Sequence, residues 1–235
     1  MQKTNKKTIA NIEAIIAEST RRQKEQQKEF YLFGKLFYIN EPFVEDVNVQ
    51  VVIDTIEKVI PRHLFQEVDN VMVGSFDFLE ERALEAMYKD GAIYVTNQLY
   101  TEKDLLENII HEASHSVEEV LGYHIYSDQK IYNEFVGKRE RLESILKSAG
   151  YDVGGLNFAE TEYDKEFDRF LLEEVGYANL GNLIMGLFVS PYAATCLREY
   201  WGVGFEDYFI GDRKYLRKVS PELFKKIEGV ITYED

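Results

Sequence analysis

One segment, residues 101–122, limits the fold of this chain more than any other, because it predicts a capped helix with a single apolar face. Thr101 suits the N-cap, and Asp104 lies close to the position that completes a capping box. Gly122 is typical of a helix end. Apolar residues recur at helical spacing along one stripe, at Leu106, Ile110, Ala113, Val117 and Val120. Such a helix buries that stripe against a core.

The same helix carries the segment HEASH at residues 111–115. His111 and His115 are four residues apart, about 40° apart around the helix axis, so both imidazoles point in one direction. Two neutral ring nitrogens in that arrangement can bind one zinc ion at about 2.0–2.1 Å. Glu112 beside them can take the proton of a metal-bound water as general base. This spacing, in a chain with 4 histidines, predicts a zinc site.

A third metal ligand has to come from elsewhere in the chain. A metzincin motif requires Gly at position 118 and His at position 121, whereas this chain has Glu118 and Leu121. A Glu from a later helix is the other common solution. Glu173, Glu174 and Glu199 are candidates for it.

Glu199 is favoured by its surroundings. It lies inside a predicted helix among aromatic residues, where a lone carboxylate is costly unless it is paired or metal-bound. Gly202 and Gly204 weaken that helix by about 1 kcal/mol each relative to Ala. Glycines with this cost are expected where another helix has to approach closely. The alternative is that Glu199 pairs with an arginine and the glycines only end the helix.

Two further acidic residues, Glu118 and Glu119, follow His115 on the histidine helix. They are placed to hold the free ring N–H of His115, which would fix the ring orientation without binding the metal. The alternative is a solvated helix end.

The segment EYWGVGF, residues 199–205, resembles the third-ligand motif of gluzincin peptidases similar to anthrax lethal factor and the Pro-Pro endopeptidases. That motif is a Glu, two aromatic residues, a small residue, two variable residues and an aromatic residue. In this group a Tyr seven residues before the ligand Glu points at the substrate carbonyl, and here that position is Tyr192. On one continuous helix, Tyr192 and Glu199 would lie on nearly the same face.

The resemblance covers residues 101–121 and 190–209 and implies a zinc endopeptidase of the gluzincin type. It assigns roles to five residues: metal ligands His111, His115 and Glu199, general base Glu112, and Tyr192 as the oxyanion-stabilising group. The chain departs from the group in spacing, since Glu199 follows the second histidine by 84 residues. The extra helices at about 128–188 would be an insertion over the cleft.

Residue 203 is Val, where some thermolysin-like enzymes carry an Asp behind the metal ligands. This departure separates the chain from that branch of the gluzincins. As a whole, the chain also resembles peptidases encoded by tailed phages. That resemblance concerns the biological setting and assigns no residue.

Strand patterns predict a sheet in the N-terminal part, with strands at Lys35–Ile39, 68–76 and Ala92–Thr96. Helices are predicted at 49–60, 128–148, 161–175, 180–188, from 190 to about 210, and at 221–227. The predicted fold class is α+β and zincin-like: a small mixed sheet, an edge strand beside the zinc helix, and a mainly helical C-terminal lobe. Residues 31–235 would form one metallopeptidase domain with lobes at about 31–122 and 123–235, separated by a cleft.

Residues 1–30 predict a separate amphipathic helix. Its apolar positions are Ile9, Ile12, Ile15 and Ile16, and its second half is heavily charged. Such a helix packs on the domain, extends as a solvated arm, or binds a partner.

The strand Ala92–Thr96 directly precedes the metal helix. It is expected to be either an edge strand, whose free backbone groups pair with an extended peptide, or an ordinary core strand. In the first case the partner is a peptide or protein substrate.

Charge and hydropathy exclude several other partners. The net charge of −15, from 27 basic and 42 acidic residues, argues against nucleic acid and against an anionic membrane surface. The longest apolar run, residues 183–189, is far shorter than the ~20 residues that span a bilayer. The N-terminus lacks an apolar secretory segment, and the single Cys196 allows no internal disulfide. These features predict a cytoplasmic protein, in the bacterial host or the virion if it is phage-encoded.

Two other functions fit the same residues. One is a catalytically silent zincin-fold structural or adaptor protein, for example a virion component, with zinc as a structural clip. Such a site needs neither Glu112 nor Tyr192, and it requires a fourth protein ligand, for which His124 and Glu118 are poorly placed. The other is a zinc-dependent hydrolase of a non-peptide amide.

Overall fold

Five strands form one mixed sheet in the first part of the chain. The computed structural model describes residues 28–233, and within them the strands are β1 Glu29–Leu32, β2 Lys35–Ile39, β3 Asn70–Gly74, β4 Ala86–Lys89 and β5 Ala92–Thr96. Their order across the sheet is β1-β2-β3-β5-β4. Strands β2, β3 and β5 run parallel, and the two outer strands pair antiparallel with their neighbours.

Helices dominate the second half, as predicted. The α-helices of the described residues are α1 Val49–Val59, α2 Asp77–Glu80, α3 Glu102–Tyr126, α4 Lys130–Ser148, α5 Lys165–Arg169, α6 Tyr177–Leu183, α7 Leu197–Ile210, α8 Arg213–Val219 and α9 Pro221–Ile231. Shorter 3₁₀ turns lie at Arg62–Phe65 and Tyr192–Ala194, and a π-helix lies at Phe170–Val175. The predicted α+β class, with a mainly helical C-terminal part, is confirmed.

Helix α3 joins the two halves, because it packs against α1, β4 and β5 and also against α7. The sheet residues that point toward it are almost completely buried, and they include Phe37, Val71, Val73, Ile93 and Val95. Burying an aliphatic or aromatic side chain of this size contributes about 1.5–3 kcal/mol. Buried apolar residues from both halves form one connected cluster.

The start of α3 follows the sequence prediction, and its end does not. Thr101 accepts a hydrogen bond from the Asp104 N–H, and the Asp104 carboxylate accepts one from the Thr101 N–H, which is a complete capping box. The helix continues past Gly122 to Tyr126. One glycine inside a helix costs only about 1 kcal/mol, and the buried Ile125 that follows offsets this cost.

The edge strand beside the metal helix is β4. Of the two predictions for Ala92–Thr96, the core strand is confirmed and the edge strand is wrong, because this strand is paired with β3 on one side and β4 on the other. A tight turn at Asp90 and Gly91, with φ angles of 51° and 80°, joins β4 to β5. Two consecutive residues with positive φ are typical of the turn that closes a two-residue hairpin.

The helix predicted to run from residue 190 is interrupted. Tyr192–Ala194 is a separate 3₁₀ turn, and Cys196 adopts an extended conformation (φ −154°, ψ 171°) before α7 begins at Leu197. Tyr192 and Glu199 therefore lie on two separate elements, and the predicted shared helical face is wrong.

Other boundaries differ by smaller amounts. Asp164 rather than Thr161 caps α5, because its carboxylate accepts the first free N–H groups of that helix. The apolar helix predicted at 180–188 is α6, Tyr177–Leu183. Asp212 caps α8 in the same way as Asp164 caps α5, and the sequence pattern did not predict that helix.

The predicted helix of residues 1–30 lies outside the described residues, apart from its end, where Glu29 and Phe30 belong to β1. Within residues 28–233, none of the helices combines the length and the apolar character required to cross a lipid bilayer.

Candidate metal centre

Helix α3 presents His111 and His115 side by side toward α7. Their ring centroids lie 5.0 Å apart with the ring planes at 80°. The side chain of His115 is 4% exposed and that of His111 is 13% exposed, so both rings are largely removed from water. The group His111, Glu112 and His115 could hold a metal ion, since their donor atoms all lie within 4.8 Å of one another.

Helix α7 brings the Glu199 carboxylate to the same point. Its Oε2 lies 2.9 Å from His111 Nε2 and 3.9 Å from His115 Nε2. In a tetrahedral site with bonds of 2.0–2.1 Å, ligand atoms lie about 3.3 Å apart. The observed pair of distances brackets that value.

The alternative third ligands lie elsewhere. Glu173 and Glu174 are exposed on the π-helix. Within residues 28–233, neither forms an ion pair with His111 or His115, whereas Glu199 approaches both rings. The geometry therefore favours Glu199 over the two alternatives.

Gly202 allows α7 to approach this closely. A Cβ atom at position 202 would lie 2.7 Å from Cε1 and 2.8 Å from Nε2 of His111, which is far inside van der Waals contact. Trp201 secures the same contact, because its Nε1–H donates to the Ser114 carbonyl at 3.0 Å. A Cβ at Gly204 would collide with Leu223. Close helix packing at both glycines, expected from the sequence, is confirmed.

Outer partners hold the far nitrogen of His115. Glu118 Oε2 lies 3.3 Å from His115 Nδ1, and Glu118 in turn accepts a hydrogen bond from the Tyr126 hydroxyl at 2.6 Å. The Arg198 Nε–H also donates to the same nitrogen at 3.2 Å, and in this contact Nδ1 is an acceptor. Metal binding through Nε2 requires the tautomer in which Nδ1 carries the hydrogen and donates it to Glu118. The predicted contact of Glu118 is confirmed, whereas Glu119 is exposed.

Glu206 is a neighbour of the site that the sequence reasoning missed. Its Oε2 lies 3.5 Å from His111 Nδ1, and its side chain is 25% exposed. It follows Glu199 by seven residues on α7, which is two helical turns and therefore nearly the same face. That spacing is the signal by which Glu206 could have been found.

The charges of the centre are coupled. Burial by itself lowers the pKa of His111, but hydrogen bonds to Glu199 and Glu206 outweigh it and raise that pKa to about 10. For Glu199, burial raises the pKa, and the hydrogen bond and charge of His111 lower it by more. Without a metal the two groups form an ion pair. A metal ion binds only the neutral imidazole, so it would replace the proton on His111.

Glu112 faces the open edge of the sheet. Its Oε2 accepts a hydrogen bond from the backbone N–H of Tyr88 at 2.6 Å. Tyr88 lies in β4, and this N–H points away from β5 toward the unpaired side of the strand. The carboxylate is therefore held between the metal centre and the edge strand.

Tyr192 reaches the centre from its own 3₁₀ turn. Its ring centroid lies 6.1 Å from that of His111, at a tilt of 45°. Burial, and after it the charge of Glu199, raise the pKa of the phenol well above its usual value. The hydroxyl therefore stays protonated near neutral pH and can donate a hydrogen bond.

The arrangement thus combines two imidazole nitrogens and a carboxylate around one point, with a second carboxylate and a phenol beside it. No protein-family model, curated protein or solved structure matches this chain. Function is therefore inferred from the geometry of the site itself.

Proposed function

We propose that this protein is a zinc-dependent endopeptidase of the gluzincin type. One observation carries the proposal: Glu199 Oε2 faces both His111 Nε2 and His115 Nε2 across a gap that suits a small cation. Imidazole and carboxylate donors in tetrahedral arrangement are the ligands that zinc prefers, and three protein ligands leave one position open, as in catalytic sites.

A bound zinc ion would supply a Lewis acid and lower the pKa of a water molecule to about 7. Residues of the chain would transfer the proton and stabilise the transition state. Glu112 accepts the proton of the attacking water and later passes it to the leaving amine. Tyr192 donates a hydrogen bond to the oxygen on which negative charge develops in the transition state.

The open edge of β4 suits an extended peptide. An incoming strand that pairs with β4 would run beside Glu112 and would take over the Tyr88 N–H that this carboxylate accepts in the free protein. The predicted pairing of substrate with Ala92–Thr96 is replaced by pairing with Ala86–Lys89. A peptide or protein substrate therefore remains the proposed partner.

The test combines zinc stoichiometry with cleavage of a peptide library by the full chain. Wild type is expected to bind one zinc ion and to cleave. Glu112→Gln should keep the zinc and lose activity by about 100-fold or more, whereas Glu119→Gln, a matched change on the exposed side of α3, should keep both. Glu199→Ala should lose zinc affinity, and Glu174→Ala should retain it.

Each alternative has its own outcome. If wild type binds no zinc, the proposal fails at the metal. If zinc binds and Glu112→Gln cleaves as well as wild type, the assigned base is wrong. Zinc binding without cleavage of any peptide would favour a structural clip or a non-peptide amide substrate. Loss of zinc in Glu174→Ala but not in Glu199→Ala would reassign the third ligand.

A further inference from the structure

Arg139 on α4 is a buried cation, 1% exposed, that forms no ion pair within residues 28–233. Its guanidinium donates to backbone carbonyls instead. Nη1 donates to Ala194 and to Thr195, both at 2.9 Å, and Nη2 donates to Asn157 at 3.2 Å. A planar group with fixed N–H directions restricts the positions of all three carbonyls at once.

Aromatic rings hold the guanidinium itself in place. The ring of Phe167 lies 3.6 Å from its central carbon, and those of Phe135 and Phe158 lie 5.5 Å and 5.8 Å away. Burial lowers the pKa of Arg139 only to about 10, so the group remains charged near neutral pH. The contact is therefore a rigid, permanently charged clamp.

Two of the three clamped carbonyls, those of Ala194 and Thr195, lie on the short connection between Tyr192 and α7. Thr195 completes the 3₁₀ turn by donating its hydroxyl to the Tyr192 carbonyl at 2.8 Å. Immediately afterwards the chain enters α7, whose first N–H, from Leu197, donates to the Thr161 carbonyl at 2.9 Å. A shift of this connection would move the tyrosine on one side of it.

Tyr192 depends on this backbone support. Within the described part of the chain its hydroxyl has no hydrogen-bond partner. A free hydroxyl is available to a substrate, but it cannot anchor its own ring. The position of the ring, 6.1 Å from that of His111, then depends on its packing against the core and on the turn that Arg139 holds.

We infer that Arg139 is a positioning residue, which fixes Tyr192 relative to the metal centre by clamping the carbonyls of Ala194 and Thr195. The inference rests on the proposed function for its catalytic consequence. Its structural part, the dependence of the Tyr192 position on Arg139, stands independently of catalysis.

The catalytic test is a double-mutant cycle in the zinc-loaded full chain. Arg139→Lys keeps the positive charge but loses the planar group of N–H donors. It should lower kcat by about 10- to 100-fold, with KM and zinc affinity within about twofold of wild type. In a Tyr192→Phe background, Arg139→Lys should cost less than about threefold more, because the group that it positions is already missing. Equal losses in both backgrounds would overturn the inference.

Lys138 provides a matched control, because it is the adjacent residue, is also buried, and is hydrogen-bonded to other segments. Lys138→Met should lower stability while leaving the kcat of the folded fraction unchanged; a kcat loss like that of Arg139→Lys would instead indicate general loosening. Thr195→Val, which removes the hydrogen bond to the Tyr192 carbonyl, should lower kcat in the same direction by about threefold. It decides the question if Arg139→Lys does not fold.

A second readout needs no enzymatic activity. In metal-free protein labelled with 3-fluorotyrosine, the Tyr192 resonance can be assigned by its loss in Tyr192→Phe. It should shift or broaden in Arg139→Lys and stay in place in Lys138→Met. An unmoved resonance in folded Arg139→Lys would overturn the inference, whereas a moved resonance in a chain that cleaves no peptide would leave Arg139 established and refute only the peptidase.

Discussion

Two buried polar centres of this molecule accommodate charge in opposite ways. On α4, Lys138 donates to the Leu187 and Val219 carbonyls and to the Ser220 hydroxyl at 2.6–2.8 Å. Arg139 next to it donates to three carbonyls in the same manner. Both cations therefore donate to neutral protein oxygens instead of to carboxylates, and within residues 28–233 the Arg139 Nε has no hydrogen-bond partner.

The centre between α3 and α7 is the reverse case. Its two imidazoles are surrounded by carboxylates, and their charge is balanced only in part, by the proton that His111 retains and by Arg198. The carboxylates lie on both helices, at Glu112, Glu118, Glu199 and Glu206. A centre with surplus negative charge and donors that converge on one gap is suited to an external cation.

Asp207 shows a third solution. Its Oδ2 is buried and, within residues 28–233, has no hydrogen-bond partner. Burial raises the pKa of this carboxyl to about 6, so it takes up a proton at a higher pH than an ordinary aspartate does. In this molecule, a buried charge therefore indicates a ligand site only where the surrounding protein groups leave it uncompensated.

The largest expected effect is on the centre formed by Lys138 and Arg139. Lys138→Met would leave two carbonyls and a hydroxyl unpaired, at a cost of about 3 kcal/mol or more. Urea unfolding should show the same loss with zinc and with a chelator. A loss that depends on zinc would break the distinction between the two centres.

Gly202→Ala tests the fit at the metal centre. The added methyl group would overlap the His111 ring, so we expect the free energy of unfolding to fall by about 1–3 kcal/mol and zinc affinity to fall with it. Gly122→Ala is the matched control, because a Cβ there meets nothing within 4 Å. In the middle of α3 it should add up to about 1 kcal/mol of stability. Unchanged zinc affinity in Gly202→Ala would contradict the close contact.

Glu206→Gln probes the outer carboxylate of His111. Loss of its charge should weaken zinc binding by about 10-fold, or 1.4 kcal/mol, in a competition titration with a chelator. Glu107→Gln is the control. Glu107 forms an ion pair with the exposed Lys103, and its substitution should leave the zinc affinity unchanged. Equal affinities for all three proteins would mean that Glu206 does not support the ring.

The smallest effect concerns pH. Because the folded-state pKa of Asp207 is raised to about 6, the folded protein holds more protons than the unfolded chain between about pH 4 and 6. This group therefore makes the free energy of unfolding fall as pH rises through that window. Asp207→Asn should remove that component of the slope in urea unfolding at several pH values; an unchanged slope would assign it to other groups.

Local patterns predicted the parts of the fold that local interactions determine. The capping box at Thr101 and the spacing of His111 and His115 are properties of one helix, and both could be read from neighbouring residues. Strand β4 was missed because Ala86 and Lys89 are weak strand formers. Its place depends on pairing with β5 through the turn at Asp90.

The site beyond the histidine helix was predictable only in part. Gly202 signalled a close helix contact, but the position of its partner depends on tertiary packing. The break before α7 was not predicted, because the extended conformation of Cys196 follows from contacts made by a distant arginine and by Thr161. Tyr192 reaches the centre by a route other than the one the sequence indicated.

The indole of Trp201 has a practical consequence. It is the single tryptophan of the chain, it is fully buried, and it joins α7 to α3 through the Ser114 carbonyl. One intrinsic fluorophore therefore lies at the contact between the helices that carry the proposed metal ligands. Its emission reports on that contact alone, so metal uptake and helix separation can be followed by steady-state or stopped-flow fluorescence without any added label.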